Sequence, residues 1–347
     1  MFKLSLAPYA IYKNFPNQKH EAGTINSKGF RGDEVLDILD KRKRIIVVGG
    51  SAALGSGVTS NNETFEAMME GLNPQYEVIN AGVIGFLSGQ ELAYIVTELV
   101  DYHPRIIIAF NGWNDLHEQW YHTAWFPSNK EKDEIGFNNN FFFFQIEKKL
   151  IDNYKTQTDL FQSFGRFFNT AVDKSILLSW LRIKVARATQ RFALEKDSRG
   201  KNKATEPSVS AAYFQEIVNT YTNNLKKMND FCKSQGIKFV VVFQPELGLK
   251  AHRTAKEQTV LTNYTFGSKI YAQEFPALYK RFIECSIDIL KKYEVEYVDI
   301  NKAQNFAYSS KTLFADAVHT NKNGNEIIAE IINAYLAKIL SDTSIKN

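Results

Sequence analysis

The 347-residue sequence is poor in three features that would each define a class of protein. It has two cysteines, Cys232 and Cys285, with no CxxC pair and no neighbouring histidine pair, so we expect two buried or helix-surface thiols. No apolar run approaches the roughly 18 residues that a membrane helix needs, so no membrane span is expected. The formal net charge is only +4 and the basic residues are not grouped in blocks, so no nucleic-acid partner is expected.

The amino-terminal residues do not resemble a signal peptide, because Lys3, Pro8, Lys13 and Pro16 interrupt any apolar stretch. As the sequence stands, we expect a cytoplasmic protein. A periplasmic or extracellular location is expected instead if an N-terminal anchor has been removed. Hydrophobic residues make up 44% of the chain and charged residues 23%, which is typical of a globular protein and disfavours intrinsic disorder.

Short apolar segments alternate with helical segments along most of the chain. The predicted strands are 44–50, 76–80, 105–111, 237–243 and 295–300, and the predicted helices are 62–72, 88–101, 211–235, 275–292 and 323–340. Continuous apolar strands separated by helices are typical of a parallel sheet that is covered on both faces. The pattern therefore predicts an open α/β sandwich with a parallel sheet of about five strands.

The predicted domain organisation has two parts. A turn-rich N-terminal extension, 1–40, is expected to pack on the core of a main domain, 41–347. A mainly helical insertion at about 117–210 interrupts that domain and is rich in phenylalanine, with nine of the 26 between 137 and 168. The insertion could form a cap over the active site, or its aromatic residues could merely pack it onto the sandwich.

The glycine-rich turn after the first strand does not match a phosphate-binding loop. Gly50 and Gly55 have the spacing of a P-loop, but Ser56 stands where that loop requires lysine, and the GxGxxG dinucleotide fingerprint is missing from 49–57. No cofactor is therefore expected. No metal is expected either, because the HExxxH run at 117–122 lacks the HExxH spacing of a helical zinc site.

The same turn fits nucleophilic catalysis better. Ser51 follows two glycines at the end of the first strand, where its hydroxyl can stand clear of the backbone. A serine nucleophile needs a base, and the base needs a group that orients it; Asp316 and His319, three residues apart before the last helix, can supply both. Gly85, through its backbone N–H, and Asn114, through its side-chain amide, are candidate donors to an oxyanion.

These residues lie in four short blocks that resemble, in order, those of the SGNH hydrolases, also called GDSL-type esterases. The blocks are GGS at 49–51, NAGVIG at 80–85, GWND at 112–115 and DAVH at 316–319. The resemblance covers about 40–120 and 236–340. It implies a flavodoxin-like three-layer α/β/α sandwich and ester hydrolysis or acyl transfer without a metal. The family often has aspartate where this chain has Gly50.

The resemblance also implies the role of each site residue. Ser51 would be the nucleophile, His319 the base and Asp316 its orienting partner, and the oxyanion would be held by the amides of Ser51 and Gly85 and by Asn114. Gln244, at the end of the fourth strand, has no assigned role.

Two further segments, TINSKGFRGDE at 24–34 and FQPELGLK at 243–250, look like those of a bacterial subgroup associated with surface-polysaccharide clusters. The expected function is hydrolysis of O-acyl groups, with O-acetyl as the leading example, on a small-molecule or glycan ester. An O-acyltransferase that uses the same residues and a non-catalytic glycan-binding protein are the alternatives. The sequence leaves the acyl group, the acceptor and the oligomeric state open.

Overall fold

The computed structural model describes residues 2–36, 42–125, 209–264 and 271–343. All of them lie within one compact unit, which comprises Met1–Asn140 and Val209–Asn347. Residues 126–208, which make up most of the expected insertion, lie outside the described residues. The start of the insertion, expected at about 117, falls inside a helix that begins at Trp113.

Nine strands and nine α-helices occur in the described ranges. In chain order, the strands are β1 (Leu4–Ala7), β2 (Ile11–Asn14), β3 (Gln18–His20), β4 (Gly23–Ile25), β5 (Lys43–Gly49), β6 (Tyr76–Asn80), β7 (Ile106–Asn111), β8 (Lys238–Phe243) and β9 (Glu296–Asp299). The α-helices are α1 (Ser51–Leu54), α2 (Phe65–Leu72), α3 (Ser88–Thr97), α4 (Trp113–Trp125), α5 (Ala211–Ser234), α6 (Ala255–Asn263), α7 (Tyr271–Lys292), α8 (Gln304–Ala307) and α9 (Lys322–Thr343). Short 3-10 turns lie at Asn61–Glu63, Leu99–Tyr102, Leu247–Leu249 and Ile300–Lys302.

The central sheet has five strands in the order β6-β5-β7-β8-β9, and every neighbouring pair is parallel. Counted along the chain, this order is 2-1-3-4-5, the flavodoxin-like arrangement. The parallel α/β sandwich and its five strands, predicted from the alternating apolar segments, are confirmed. Their carboxyl ends all lie at one edge of the sheet, and the loops that leave this edge carry the four sequence blocks.

Helices cover both faces of the sheet. On one face α2 packs against α9, and on the other α3, α5 and α7 pack together. The inner strands are buried on both sides: Ile46, Val47 and Val48 on β5 have no exposed surface. Their continuous apolar sequence follows from this two-sided burial. In the described ranges, no helix is long and apolar enough to cross a bilayer.

The N-terminal residues form two antiparallel hairpins, β1–β2 and β3–β4, which the sequence analysis did not predict. Both contact the sandwich. Tyr12, 1% exposed, donates its hydroxyl to Ile84 O at 3.1 Å. Asn14 donates its amide to Gly82 O at 2.9 Å. After β4, the backbone of Arg31 bridges to Asn80 at the end of the edge strand β6.

Candidate active site

Ser51 lies at the point where β5 ends and the one-turn helix α1 begins. The three residues that follow it in α1 are buried, whereas Ser51 itself is partly exposed. Gly50 precedes it in an extended conformation. A Cβ atom at Gly50 would lie 2.3 Å from Asn114 Nδ2, so any side chain at this position would displace the Asn114 amide.

The structure brings Ser51, Asp316 and His319 together, although 268 residues separate the serine from the histidine. His319 Nε2 lies 2.8 Å from Ser51 Oγ. His319 Nδ1 lies 2.7 Å from Asp316 Oδ2. The other carboxylate oxygen of Asp316 accepts the backbone N–H groups of Val318 at 2.9 Å and His319 at 2.8 Å. The carboxylate therefore fixes its own loop as well as the imidazole.

Charge and hydrogen bonding in this loop favour one tautomer of the imidazole. Burial works to raise the pKa of the Asp316 carboxyl, but the hydrogen bond and charge of His319, with the Val318 and His319 amides, outweigh burial, and the pKa lies below its usual value. Since Asp316 is held as a carboxylate, it accepts a hydrogen bond from Nδ1–H of His319. Nε2 is then left to accept the proton of the Ser51 hydroxyl, as in a nucleophile–base–carboxylate triad.

The loop at the end of β8 supports the Asp316–His319 segment from behind. Gln244 donates its side-chain amide to Val318 O at 3.1 Å, and Leu247 donates its backbone N–H to Ala317 O at 2.9 Å. The carbonyl of Gln244 in turn accepts the hydroxyl of Tyr279 at 2.9 Å. Gln244, which had no role assigned from the sequence, thus holds the backbone next to the histidine.

A buried ion pair fixes the stretch of chain that leads into this loop. Lys250 Nζ and Glu257 Oε2 are 2.7 Å apart, and neither side chain is exposed. Lys250 also donates to Ser309 O and Lys311 O, each at 3.1 Å, and Glu257 accepts the backbone N–H of Leu313 at 2.8 Å. The late part of the FQPELGLK segment therefore anchors the residues just before Asp316.

The two expected oxyanion donors lie on neighbouring loops. Gly85 has a φ of 73°, a left-handed conformation that favours glycine, in the turn that follows β6. Asn114, in the first turn of α4 after β7, donates Nδ2 to Phe86 O at 2.9 Å. Because Nδ2 also lies against Gly50, the structure places Asn114 between the Ser51 turn and the Gly85–Phe86 turn.

Asp115 joins these loops beneath the surface. Its carboxylate oxygen Oδ1 accepts the hydroxyl of Ser88 at 2.6 Å and the Ser88 backbone N–H at 3.1 Å. Asn224 on α5 donates to the same hydroxyl at 3.0 Å. Burial raises the pKa of Asp115 to about 6, against the opposing effect of the Ser88 hydrogen bonds. This network ties α3, α4 and α5 together directly behind Asn114.

The first histidine of the HExxxH run, His117, packs among aromatic side chains. His117 is 1% exposed and stacks on Trp113 with ring centroids 4.2 Å apart, and Phe275 meets it edge-on at 5.5 Å. In the part of the chain that the structure describes, no three histidine, cysteine, aspartate or glutamate side chains converge in a group that could hold a metal ion.

A comparison with protein families indicates the same class of enzyme as this geometry. Residues 197–332 match the family model described as GDSL-like Lipase/Acylhydrolase. The match covers less than half of the chain; it contains Asp316 and His319, whereas Ser51, Gly85 and Asn114 precede it. It supports an enzyme of the esterase and acylhydrolase class. None of the curated protein sequences matches the chain.

Several solved structures can be superposed on most of the chain, but their sequences are only distantly similar to it. An acetyl xylan esterase is 14% identical, with 85% of this chain and 98% of that chain covered and a TM-score of 0.42. A GDSL-like lipase from Bacteroides thetaiotaomicron VPI-5482 is 13% identical, with coverages of 88% and 93% and a TM-score of 0.41. A lipase/acylhydrolase from Enterococcus faecalis is 14% identical, with coverages of 85% and 95% and a TM-score of 0.40. At these values the likeness carries no inference about substrate.

Proposed function

We propose that the chain is a serine-dependent ester hydrolase that acts through an acyl-enzyme on Ser51. The observation that carries this proposal is the continuous hydrogen-bonded series from Ser51 Oγ through His319 to Asp316, with separations of 2.8 Å and 2.7 Å. These distances lie within the range required for proton transfer from a nucleophile to its base. The hydrolase class of the matching family model is consistent with this interpretation.

In the first half of the reaction, Ser51 Oγ attacks the carbonyl carbon of the ester while its proton passes to His319 Nε2. The negative charge that develops on the carbonyl oxygen is stabilised by the backbone amides of Ser51 and Gly85 and by Asn114. A primary amide carries two N–H groups, so the bond from Asn114 to Phe86 O leaves a second hydrogen for the oxyanion. When the tetrahedral intermediate collapses, His319 returns the proton to the departing alcohol.

In the second half, water attacks the acyl-enzyme and gives its proton to His319. The acid is released and the proton returns to Ser51. An acceptor hydroxyl in place of water would make the same site an acyltransferase. Within this class, we propose a small O-acyl group such as acetyl on a glycan as the substrate; the resemblance of segments 24–34 and 243–250 to polysaccharide-associated proteins supports this choice.

Hydrolysis of a small activated acetyl ester tests the proposal. Ser51→Ala should lower turnover by ~10⁴-fold or more, as is usual for a lost nucleophile. Ser56→Ala is the matched control, because Ser56 lies in the same turn, is exposed and should be dispensable. A serine-reactive phosphonate should label Ser51 stoichiometrically. Labelling at another serine, or an active Ser51→Ala protein, would show that the nucleophile is elsewhere.

The substrate and the acceptor need separate measurements. Release of acetate from O-acetylated polysaccharides, compared with release from esters of long-chain acids, tests the proposed acyl group. Adding a sugar alcohol during turnover separates the two reactions: a hydrolase yields free acid, and a transferase yields acetylated sugar. An intact protein that binds glycan but shows neither a burst nor turnover would be a binding protein instead.

A further inference from the structure

The helix that carries Ser51 is too short to hold itself in place. α1 comprises only Ser51–Leu54, a single turn. Forming one helical turn in isolation is unfavourable, because several backbone angles are fixed for each hydrogen bond gained. Groups outside the turn must therefore fix its direction. That direction decides where the Ser51 hydroxyl and the Ser51 amide point.

Two side chains from distant parts of the sequence bind the far end of this turn. The first carbonyl groups of α1 accept backbone amides within the turn. The next three are bound from outside. Asn80 Nδ2 donates to Ala53 O at 2.8 Å. Arg31 Nη1 donates to both Leu54 O, at 2.7 Å, and Gly55 O, at 2.8 Å. We refer to the side chains of Arg31 and Asn80 as the clamp.

The clamp is itself rigidly held. The backbone N–H of Arg31 donates to Asn80 O at 3.0 Å, so its two members are joined directly. Arg31 is 6% exposed and Asn80 3% exposed. The Arg31 guanidinium also donates to Ser60 O and to Asn61 Oδ1, each at 3.3 Å. A planar guanidinium has five donors in a fixed fork, so it can bind several carbonyl groups at once in one defined geometry.

We propose that Arg31 and Asn80 are positioning residues for the nucleophile, which set the orientation of the Ser51 turn from the end opposite to the hydroxyl. The inference rests on the proposed function of Ser51. It gives a role to the arginine of the TINSKGFRGDE segment and to the asparagine that opens NAGVIG. Neither residue touches the reacting atoms. The N-terminal extension therefore contributes to catalysis through the backbone of α1.

The clamp can be tested by weakening it in folded protein. In Arg31→Met, kcat for a small acetyl ester should fall by about 10- to 100-fold, because misplacing a reacting group by about 1 Å has costs of that order. KM should change far less, since the groups that bind the substrate are untouched. Amide hydrogen exchange should also become faster in peptides spanning 50–57. Arg31→Lys should lie between Arg31→Met and wild type in both measurements.

Arg44→Met is the matched control. Arg44 lies near the amino end of β5, away from Ser51, and is similarly buried, with an 11% exposed side chain. It donates to Glu77, Tyr102 O and Leu36 O at 2.6–3.0 Å. Arg44→Met removes a similar number of hydrogen bonds and the same charge as Arg31→Met. The Arg44 variant therefore measures the effect of general destabilisation on activity. We expect Arg44→Met to retain kcat and the slow exchange of 50–57.

The possible results distinguish a failure of the clamp proposal from a failure of the proposed function. If the folded Arg31 variants match Arg44→Met in both kcat and hydrogen exchange at 50–57, the proposed positioning role of the clamp is wrong. Should Arg31→Met fail to fold, Arg31→Lys and Asn80→Ala decide the question by the same two measurements. If wild-type protein does not turn over any ester, the proposed function fails. Exchange at 50–57 still tests the clamp in that case, because it does not depend on activity.

Discussion

Glu66 gives the most quantitative prediction, because burial dominates the environment of its carboxyl group. It is the second residue of α2 and is 1% exposed. Burial raises the pKa of Glu66 from 4.5 to about 8, and its own backbone amide, the charge of Arg31 and the side chains of Thr64 and Asn80 offset only part of that rise. The carboxyl is therefore protonated in the folded protein at neutral pH.

The sign of the effect on stability follows from the direction of this shift. The folded state binds the proton more tightly than the unfolded state, so the contribution of Glu66 to stability is complete below pH 4.5 and is lost as pH rises through 8. Between these values the free energy of unfolding should fall by about 1.4 kcal/mol per pH unit from this group alone. The total amounts to about 5 kcal/mol.

Glu66→Gln removes this titration and keeps the size of the side chain. The free energy of unfolding of the variant minus that of wild type, from urea denaturation, should rise by about 3 kcal/mol between pH 5.5 and 7.5 and level off above pH 8. Glu330→Gln, which replaces an exposed carboxyl on α9, is the control for the same change of side chain outside the core. A flat difference for Glu66→Gln would mean that Glu66 is ionised in the folded protein and paired with Arg31.

Three further changes, one of them with a matched control, test the site and its support. On the proposed mechanism, Asn114→Ala removes one donor to the oxyanion and should lower kcat by about 10²–10³-fold with the fold intact. Steady-state kinetics and circular dichroism measure the two effects. Gly50→Asp, which introduces the residue that GDSL-type esterases often have, should lower kcat because its Cβ would displace the Asn114 amide; equal or higher activity would contradict this reasoning. Lys250→Met should destabilise the protein by about 3–5 kcal/mol in urea denaturation, because it leaves Glu257 as an unpaired buried charge. Lys226→Met, which breaks an exposed ion pair, should cost less than about 1 kcal/mol.

The sheet and the members of the site could be predicted from the sequence for a common reason. Parallel strands that are buried on both faces need continuous apolar residues, so each strand is visible in the sequence. Their carboxyl ends meet at one edge, which is where ligands bind in such sheets. Ser51, Gly85 and Asn114 each follow a strand closely, and the Asp316–His319 loop precedes the last helix. Their proximity was therefore predictable without knowledge of any contact.

The supporting residues were not predictable in this way. Gln244, Arg31 and Asn80 all bind backbone carbonyl groups. Every residue carries such a group, so no pattern of side chains marks the partner in the sequence. The N-terminal hairpins were missed for a related reason, since β1–β4 are only three or four residues long and form outside the alternating pattern of the sandwich.

The absence of a side chain at Gly50 can be understood from its surroundings. A residue with a side chain at this position would occupy the place of Asn114 Nδ2, and that amide also binds Phe86 O in the turn that contains Gly85. The backbone next to Asn114 is held by the neighbouring Asp115, whose carboxylate accepts two hydrogen bonds from Ser88. The asparagine therefore has little freedom to move away from position 50. In this chain, glycine before the serine leaves open the space in which the Asn114 amide is held.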